Sequence, residues 1–390
     1  MKLRISDPVV VAMGPDSRTS DWGAYQFPWI SRLADGRLLY GFNDCADSEA
    51  AYGSEPGCRI SDDNGKTWKP ARAGDYAALS GMKLPNGERI EFITDPSPKL
   101  EDVTLPKPIG STWLGHSIYR IEEVDPSFCP RGWILLRHTD EHPEGVREEV
   151  KLNWPHMIVR SCLGVFVPPS ARGRLRMGPD GTLWMPHYYL AGTDPETGEF
   201  VPYLCNYLFK STDNGKTWDL VSFVPYYPDE DKGGIKSPKH EGFGENDITF
   251  TPDGSMIRLI RTGSCVNSYY TRSEDGGKTW TEPEVFDDHG VWPCLLTLKC
   301  GVTLATYGRP GITLRATSDP AAKVWEDPIK LLSPLPGPWK TPHIMATCAY
   351  TNLIEIDDRT AGLAYSDFTV CDEEGNPRKC LMFRTVTVED

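Results

Sequence analysis

Three stretches of the chain repeat one pattern: SDDNGKTW at 61–68, STDNGKTW at 211–218 and SEDGGKTW at 273–280. The Asp-x-Gly centre of each suits a tight turn, because aspartate accepts hydrogen bonds from backbone N–H groups beyond it and glycine reaches positive φ. The Trp that follows can then pack beneath the turn. Apolar residues precede each copy, CRI, YLF and SYYTR in turn, as a strand–turn–strand unit requires. The repeat therefore predicts a hairpin clamp used three times, in which Asp63, Asp213 and Asp275 hold turns rather than perform chemistry. A worn fourth copy lies at Ser318–Trp325, with Pro320 and Ala322 in place of the Asp and Gly. A calcium loop is excluded by the missing series of acidic ligands and closing Glu.

A second signal precedes each copy: strand, Asp-Gly turn, strand. It reads SRLADGRLLYGF (31–42), RLRMGPDGTLWMPHYYL (174–190), ITFTPDGSMIRLIR (248–261) and, less cleanly, LLTLKCGVTLATYGR (295–309). Two hairpins make four strands, the size of a propeller blade. The box starts are separated by 150, 62 and 45 residues, so the first interval has room for a blade without a box and for insertions around 85–165. A last unit is YTNLIEIDDRTAGLAYSDF (350–368) with KCLMFRTVTV (379–388), to be completed by the N-terminal strand VVVAM (9–13). With 34 Pro, 36 Gly, 12 Trp and 16 Tyr and little helical periodicity, the expectation is an all-β six-bladed propeller of four-stranded antiparallel blades, one domain over 1–390.

A formal charge of −14 argues against a nucleic-acid partner, which needs a basic surface. No apolar run approaches a membrane span and the N-terminus lacks a signal-like stretch, which points to a soluble, cytoplasmic chain. Eleven scattered cysteines without a C-x-x-C pair read as reduced thiols, and neither a metal site nor a cofactor is expected.

The repeated S-x-D-x-G-x-x-W resembles the Asp box of the sialidase (neuraminidase) superfamily, whose members are six-bladed propellers with these boxes at outer turns. The resemblance implies a carbohydrate substrate and a set of site residues. In GFGENDITFTPDGSMIRLIR it points to Glu245 and Arg261, in TYGRPG to Arg309, and in CAYTNLIEIDDRTAGLAYSDF to Tyr350 as the catalytic tyrosine. The chemistry is coherent. A sialic acid carries a carboxylate on its anomeric carbon, which would repel a carboxylate nucleophile, whereas a neutral Tyr is not repelled. Its reference pKa near ~10 requires a neighbouring base, Glu245. Arginine forks bind a carboxylate in fixed geometry, the role implied for Arg261 and Arg309.

The first blade departs from the family. Where sialidases carry Phe-Arg-Ile-Pro, this chain has Tyr25-Gln26-Phe27-Pro28, so a neutral amide, Gln26, replaces the third arginine of the carboxylate-binding triad; Arg18 or Arg32 could compensate in part. The family's general acid/base Asp corresponds to the loop GFNDCADSEAAYGSEPGC, which offers Asp44, Asp47 and Glu49, with Asp47 preferred for catalysis and Asp44 for substrate contact. His187 follows the strand LWMP and is a candidate pocket residue, as are His343, His116 and His156 with Trp113 and Trp154. The expected function is a retaining exo-glycosidase acting on sialic-acid-like or other acidic terminal sugars. The competing classes are a lyase or inverting glycosidase using His187 or His343 as base, and a propeller that binds glycans without turnover.

Overall fold

A computed structural model describes residues 1–47, 55–226, 241–334 and 346–389. Strands dominate it, and the described helical pieces are single turns such as Ala73–Tyr76. Contacts divide the chain into two compact units: Met1–Leu79 with Asp247–Glu274 and Trp280–Asp390, and Ser80–Asn246 with Asp275–Thr279.

Six sheets of four main antiparallel strands follow one another along the chain, the third and sixth each with a further edge strand, Lys151–Asn153 (parallel) and Lys2–Ile5. The first is Gln26–Arg32, Leu38–Asn43, Gly57–Ser61 and Lys69–Ala71. The second is Met82–Lys83, Arg89–Ile93, Ile134–His138 and Val146–Glu149; the third is Arg176–Met177, Leu183–Tyr189, Cys205–Ser211 and Thr217–Val224. The fourth is Asn246–Phe250, Met256–Ile260, Ser268–Ser273 and Glu284–Asp287, and the fifth Val291–Thr297, Thr303–Gly308, Ile312–Thr317 and Ile329–Leu332. The sixth joins Asn352–Asp357, Thr360–Asp367 and Arg378–Glu389 to the N-terminal strand Val9–Asp16, which pairs Val9 with Phe383 and Met13 with Cys380 as the sequence predicts. The fold class is the all-β, four-stranded-blade class expected. The insertion is also β: Gly110–Ser111, Ser117–Arg120, Ile158–Cys162 and Val165–Val167 form an additional four-stranded sheet threaded through the second.

Central strands such as Cys205–Ser211 and Ile312–Thr317 are buried at nearly every position rather than at alternate ones. That pattern belongs to strands covered on both faces. Within the first unit one apolar cluster joins the fourth and fifth sheets through Leu259, Leu295 and Tyr307. A second joins the fifth and sixth through Leu314, Leu363 and Met382, and a third joins the sixth and first through Phe383, Tyr40 and Leu38. The second unit has one large core running through its three main sheets, with Trp133, Phe166, Phe209 and Trp218 at its centre.

The repeated boxes are turns with one wiring scheme. In the first, Ser61 Oγ donates to Asp63 Oδ1 at 2.8 Å and accepts from Gly65 N at 2.8 Å, while Asp63 accepts from Thr67 N at 2.9 Å. Trp68 Nε1 then donates to Gly65 O at 3.1 Å, tying the indole under the turn. The second box repeats each of these bonds, ending with Trp218 Nε1 to Gly215 O at 3.0 Å. Asp275 accepts from Lys278 N and Thr279 N in the same way. The tryptophans glue sheets together: Trp68 lies edge-on to Tyr40 and Phe383, and Trp218 packs on Trp133 and Phe92. Trp280 instead covers the fully buried guanidinium of Arg258 at 4.3 Å, a cation–π contact that partly offsets its loss of water.

The worn fourth copy keeps the device with a shifted residue. Asp319, one place earlier than the pattern puts it, accepts from the N–H groups of Ala321, Lys323 and Val324, and Ala322 takes the glycine's place at φ 52°. Trp325 packs edge-on against Phe286 at 5.1 Å, as its counterparts do on their neighbours.

These bonds make the boxes acid-sensitive. The Thr67 hydroxyl and N–H hold the Asp63 carboxyl down at about 2. A carboxyl depressed in the folded state contributes stability above its unfolded value near ~4 and loses it as pH falls toward the folded value. Thermal denaturation followed from pH 5 to pH 2 should show a falling melting temperature across this window. Asp63→Asn should melt lower at pH 7 and show a shallower pH slope; an unchanged slope would remove Asp63 from the acid response.

Candidate functional site

In the first unit the ends of four sheets bring together residues that are far apart in sequence. Arg261 follows the second strand of the fourth sheet and Arg309 the second strand of the fifth. Both guanidinium groups reach Ser264 Oγ, from Arg309 Nη1 at 3.1 Å and from Arg261 Nη2 at 3.5 Å. Arg309 also donates from Nη2 to Cys348 O at 3.0 Å and lies over the Trp22 ring at 5.7 Å. Both donors thus point at one spot and are held there before any ligand arrives, which is what recognition of a carboxylate requires.

Tyr350 is two residues beyond Cys348, just before the first strand of the sixth sheet. Its ring is sandwiched by Trp292, stacked at 4.6 Å and 17°, and Phe27, edge-on at 4.8 Å. Phe27 in turn meets Trp22 at 5.9 Å, closing a chain of aromatic contacts from Tyr350 to Arg309. Phe27 N donates to Cys348 Sγ at 3.4 Å, which fixes the first sheet's edge against the segment carrying the tyrosine.

The backbone here is strained. Tyr25, Phe27, Cys265, Trp292, Arg309 and Ala349 all sit at positive φ, between 47° and 70°. Non-glycine residues adopt that region at a cost of order ~1–3 kcal/mol each, and such costs concentrate at ligand sites. The two asparagines at positive φ, Asn64 and Asn214, lie by contrast in box turns, where asparagine tolerates it.

Asp47 joins this group through its backbone: its N–H donates to Trp22 O at 2.8 Å. Gly23, at φ 106°, is needed for the approach, since a Cβ there would stand 2.1 Å from Asp47 N. Asp44 and Asp47 are both exposed. Glu49 and His343 fall outside the described residues.

Two expectations meet a different environment. Gln26 is completely buried, and among the described residues neither its amide oxygen nor its nitrogen has a hydrogen-bond partner. It presents no surface to a ligand and does not stand in for a third arginine. Gln26→Leu should therefore hold or raise the melting temperature, because it removes an unsatisfied buried amide at similar volume; a fall of several degrees would mean that the amide is bonded in solution. His187, in the second unit, is 1% exposed among Trp133, Trp154, Tyr189 and Phe209. Burial pushes its imidazole down to about 3, so the ring is a neutral core group and not a pocket wall or a base. Arg18 pairs with Asp16, and Arg32 donates to Gly36 O and Glu355 O, so neither guanidinium is directed to the Arg261–Arg309 pair.

Glu245 belongs to the second unit, 7% exposed within a buried run, where Asn206 Nδ2 donates to Phe243 O and Gly244 O at 2.8 and 2.7 Å. Ser264, Trp22 and Trp292 are the residues that sequence reasoning missed. Trp22 and Trp292 carry no repeat signal, and only the strand-end geometry reveals them.

Among the described residues one group has metal-ligand spacing, Asp287, Asp288 and His289, in the first unit. His289 is already bonded to Asp288 at 2.6 Å and Thr313 at 2.9 Å, and Tyr307 donates to Asp287 at 2.6 Å, so these atoms satisfy one another.

The family model of the BNR/Asp-box repeat matches residues 59–70, the first box and its flanks. Among curated proteins none matches the chain. Solved structures do, among them a protein of unknown function from Dyadobacter fermentans, 18% identical over 99% of each chain with a TM-score of 0.62. An alpha-L-arabinanase of Penicillium chrysogenum complexed with arabinobiose is 14% identical over 97% of this chain and 98% of its own, TM-score 0.53. The Hadza microbial sialidase Hz136 is 15% identical over 93% of this chain and 65% of its own, TM-score 0.48. At these identities the likeness is one of fold. The chain therefore carries a BNR/Asp-box repeat and shares the fold of these structures.

Proposed function

We propose that the protein is a retaining exo-glycosidase whose substrate ends in a carboxylate-bearing sugar. The observation that carries this reading is the pair Arg261 and Arg309, converging on Ser264 beside the Tyr350 sandwich. The carboxylate of the terminal sugar pairs with the two guanidinium groups, and the aromatic rings exclude water and position the sugar face. Tyr350 Oη gives its proton to a base and attacks the anomeric carbon while the glycosidic C–O bond breaks. Asp47 protonates the departing oxygen, then takes a proton from water, which attacks the same carbon and releases Tyr350. Two inversions leave the configuration retained. Asp44, on the same loop as Asp47, contributes to binding of the leaving group.

With Gln26 fully covered, two arginines rather than three meet the carboxylate, which favours acidic sugars other than the common sialic acids. The test is hydrolysis of a panel of fluorogenic glycosides: a sialoside, other ulosonic and uronic acid glycosides, and a neutral arabinofuranoside, with product configuration read by NMR. Release from an acidic glycoside with retention supports the reading. An unsaturated product, inversion, preference for the neutral glycoside, or binding without turnover would each overturn it.

A further inference from the structure

The second unit holds a group of cations and hydrogen-bond donors that the proposed chemistry does not use. Arg160, in the strand Ile158–Cys162 of the inserted sheet, is 8% exposed, and its Nε has no partner among the described residues. Its Nη1 donates to His116 Nδ1 at 3.0 Å. Arg172, in the segment entering the third sheet, is half-buried, and its Nε too is buried without a partner. Its backbone N–H donates to His187 Nδ1 at 3.1 Å, and the His187 ring stacks on Tyr189 at 6.0 Å. Among the described residues no carboxylate pairs with either arginine.

Both arginines act on the same two neighbours, His116 and Tyr189. Burial lowers the His116 imidazole, and Arg160 and Arg172 both lower it further. Burial raises the Tyr189 hydroxyl, and the same two arginines pull it back. A neutral His116 that accepts at Nδ1 must carry its proton on Nε2, so it offers one more donor. The arginines, the imidazole N–H and the phenol are all donors, and among the described residues no carboxylate compensates the two positive charges, in a chain whose net charge is −14. Burying a cation without a counterion is costly, and an oxyanion removes that cost. His116 and Arg172 are only partly covered, so the group is open to solvent on one side, next to the exposed Trp113 and Leu114.

We infer that Arg160, Arg172 and His116 form a second oxyanion-binding site, suited to a carboxylate on an acidic sugar or to a free sulfate or phosphate. It is independent of the Arg261–Arg309 pair and of any turnover there.

The experiment is titration of the full-length Arg309→Met protein, in which one guanidinium of the first pair is gone, with glucuronate, inorganic sulfate, inorganic phosphate and neutral glucose, followed by calorimetry and by the His116 imidazole resonances. At least one oxyanion should bind, shift His116 and bind more weakly as salt is raised, and glucose should do none of these. Adding Arg172→Met should weaken that binding about tenfold or more, the usual loss for one charge-assisted pair. Arg172 is half-exposed, so this variant should fold, and Arg172→Lys should restore part of the affinity. Preference for glucuronate identifies a sugar carboxylate as the ligand, and preference for sulfate or phosphate a free anion. No shift at His116 with any oxyanion, or equal binding with and without Arg172→Met, would overturn the inference, whatever the glycoside panel gives.

Discussion

Tyr350→Phe should lose about 10³-fold or more in turnover of the acidic glycoside while melting within a degree or two of wild type, because it deletes the attacking oxygen and keeps the ring. The ring that remains keeps its stacking on Trp292 at 4.6 Å and its edge contact with Phe27 at 4.8 Å, so the packing that holds the segment survives. Arg309→Lys should act differently. A point charge in place of a fork that reaches Ser264 and Cys348 together should raise KM for acidic substrates and leave neutral ones unchanged. Mass spectrometry of the protein after reaction with an activated 2-fluoro glycoside should find the label on Tyr350. Full activity in Tyr350→Phe, or a label on another residue, would end the nucleophile assignment.

Trp218→Ala should destabilise the fold by about 3–5 kcal/mol, the range for truncating a large buried aromatic. Trp218 is fully buried, donates to Gly215 O at 3.0 Å, and packs on Phe92 at 5.6 Å and Trp133 at 5.8 Å. Its removal therefore opens the middle of the second unit's core and loosens the turn at once. Denaturant titration should show a lower midpoint, while activity per folded molecule should change little. A variant that melts like wild type but turns over slowly would make the box functional. Trp325→Ala should cost less, since its ring packs on the partly covered Phe286 and Tyr270.

The boxes were legible in sequence because their chemistry is local. Ser61, Asp63, Gly65 and Thr67 bond to one another within seven residues, so the pattern of letters is the pattern of bonds. The strand pairs were legible for the same reason, each hairpin being closed by its own turn, and so was the use of Val9–Asp16 to complete the last sheet. The worn fourth box shows the limit even of local reading. Its turn survives because Asp319 sits one residue early and still reaches three N–H groups, which no fixed spacing would capture.

The site is another matter. Arg261, Arg309 and Tyr350 could be named from resemblance, but their convergence depends on where separate strands end, and Trp22, Trp292 and Ser264 join them only because those ends meet. Gln26 read as a site residue from its place in the family's motif and His187 from following the strand LWMP; packing buried both completely or nearly so, and sequence carries no record of what will cover a side chain. The same holds for Arg160 and Arg172, which have no motif and matter only because two separate segments leave them near one imidazole and one phenol. The turns, the hairpins and the all-β class follow from local order, because hydrogen bonds between near neighbours are set within a few residues. Which polar groups meet and which are covered follows from the packed sheets, because burial and long-range proximity belong to the whole fold.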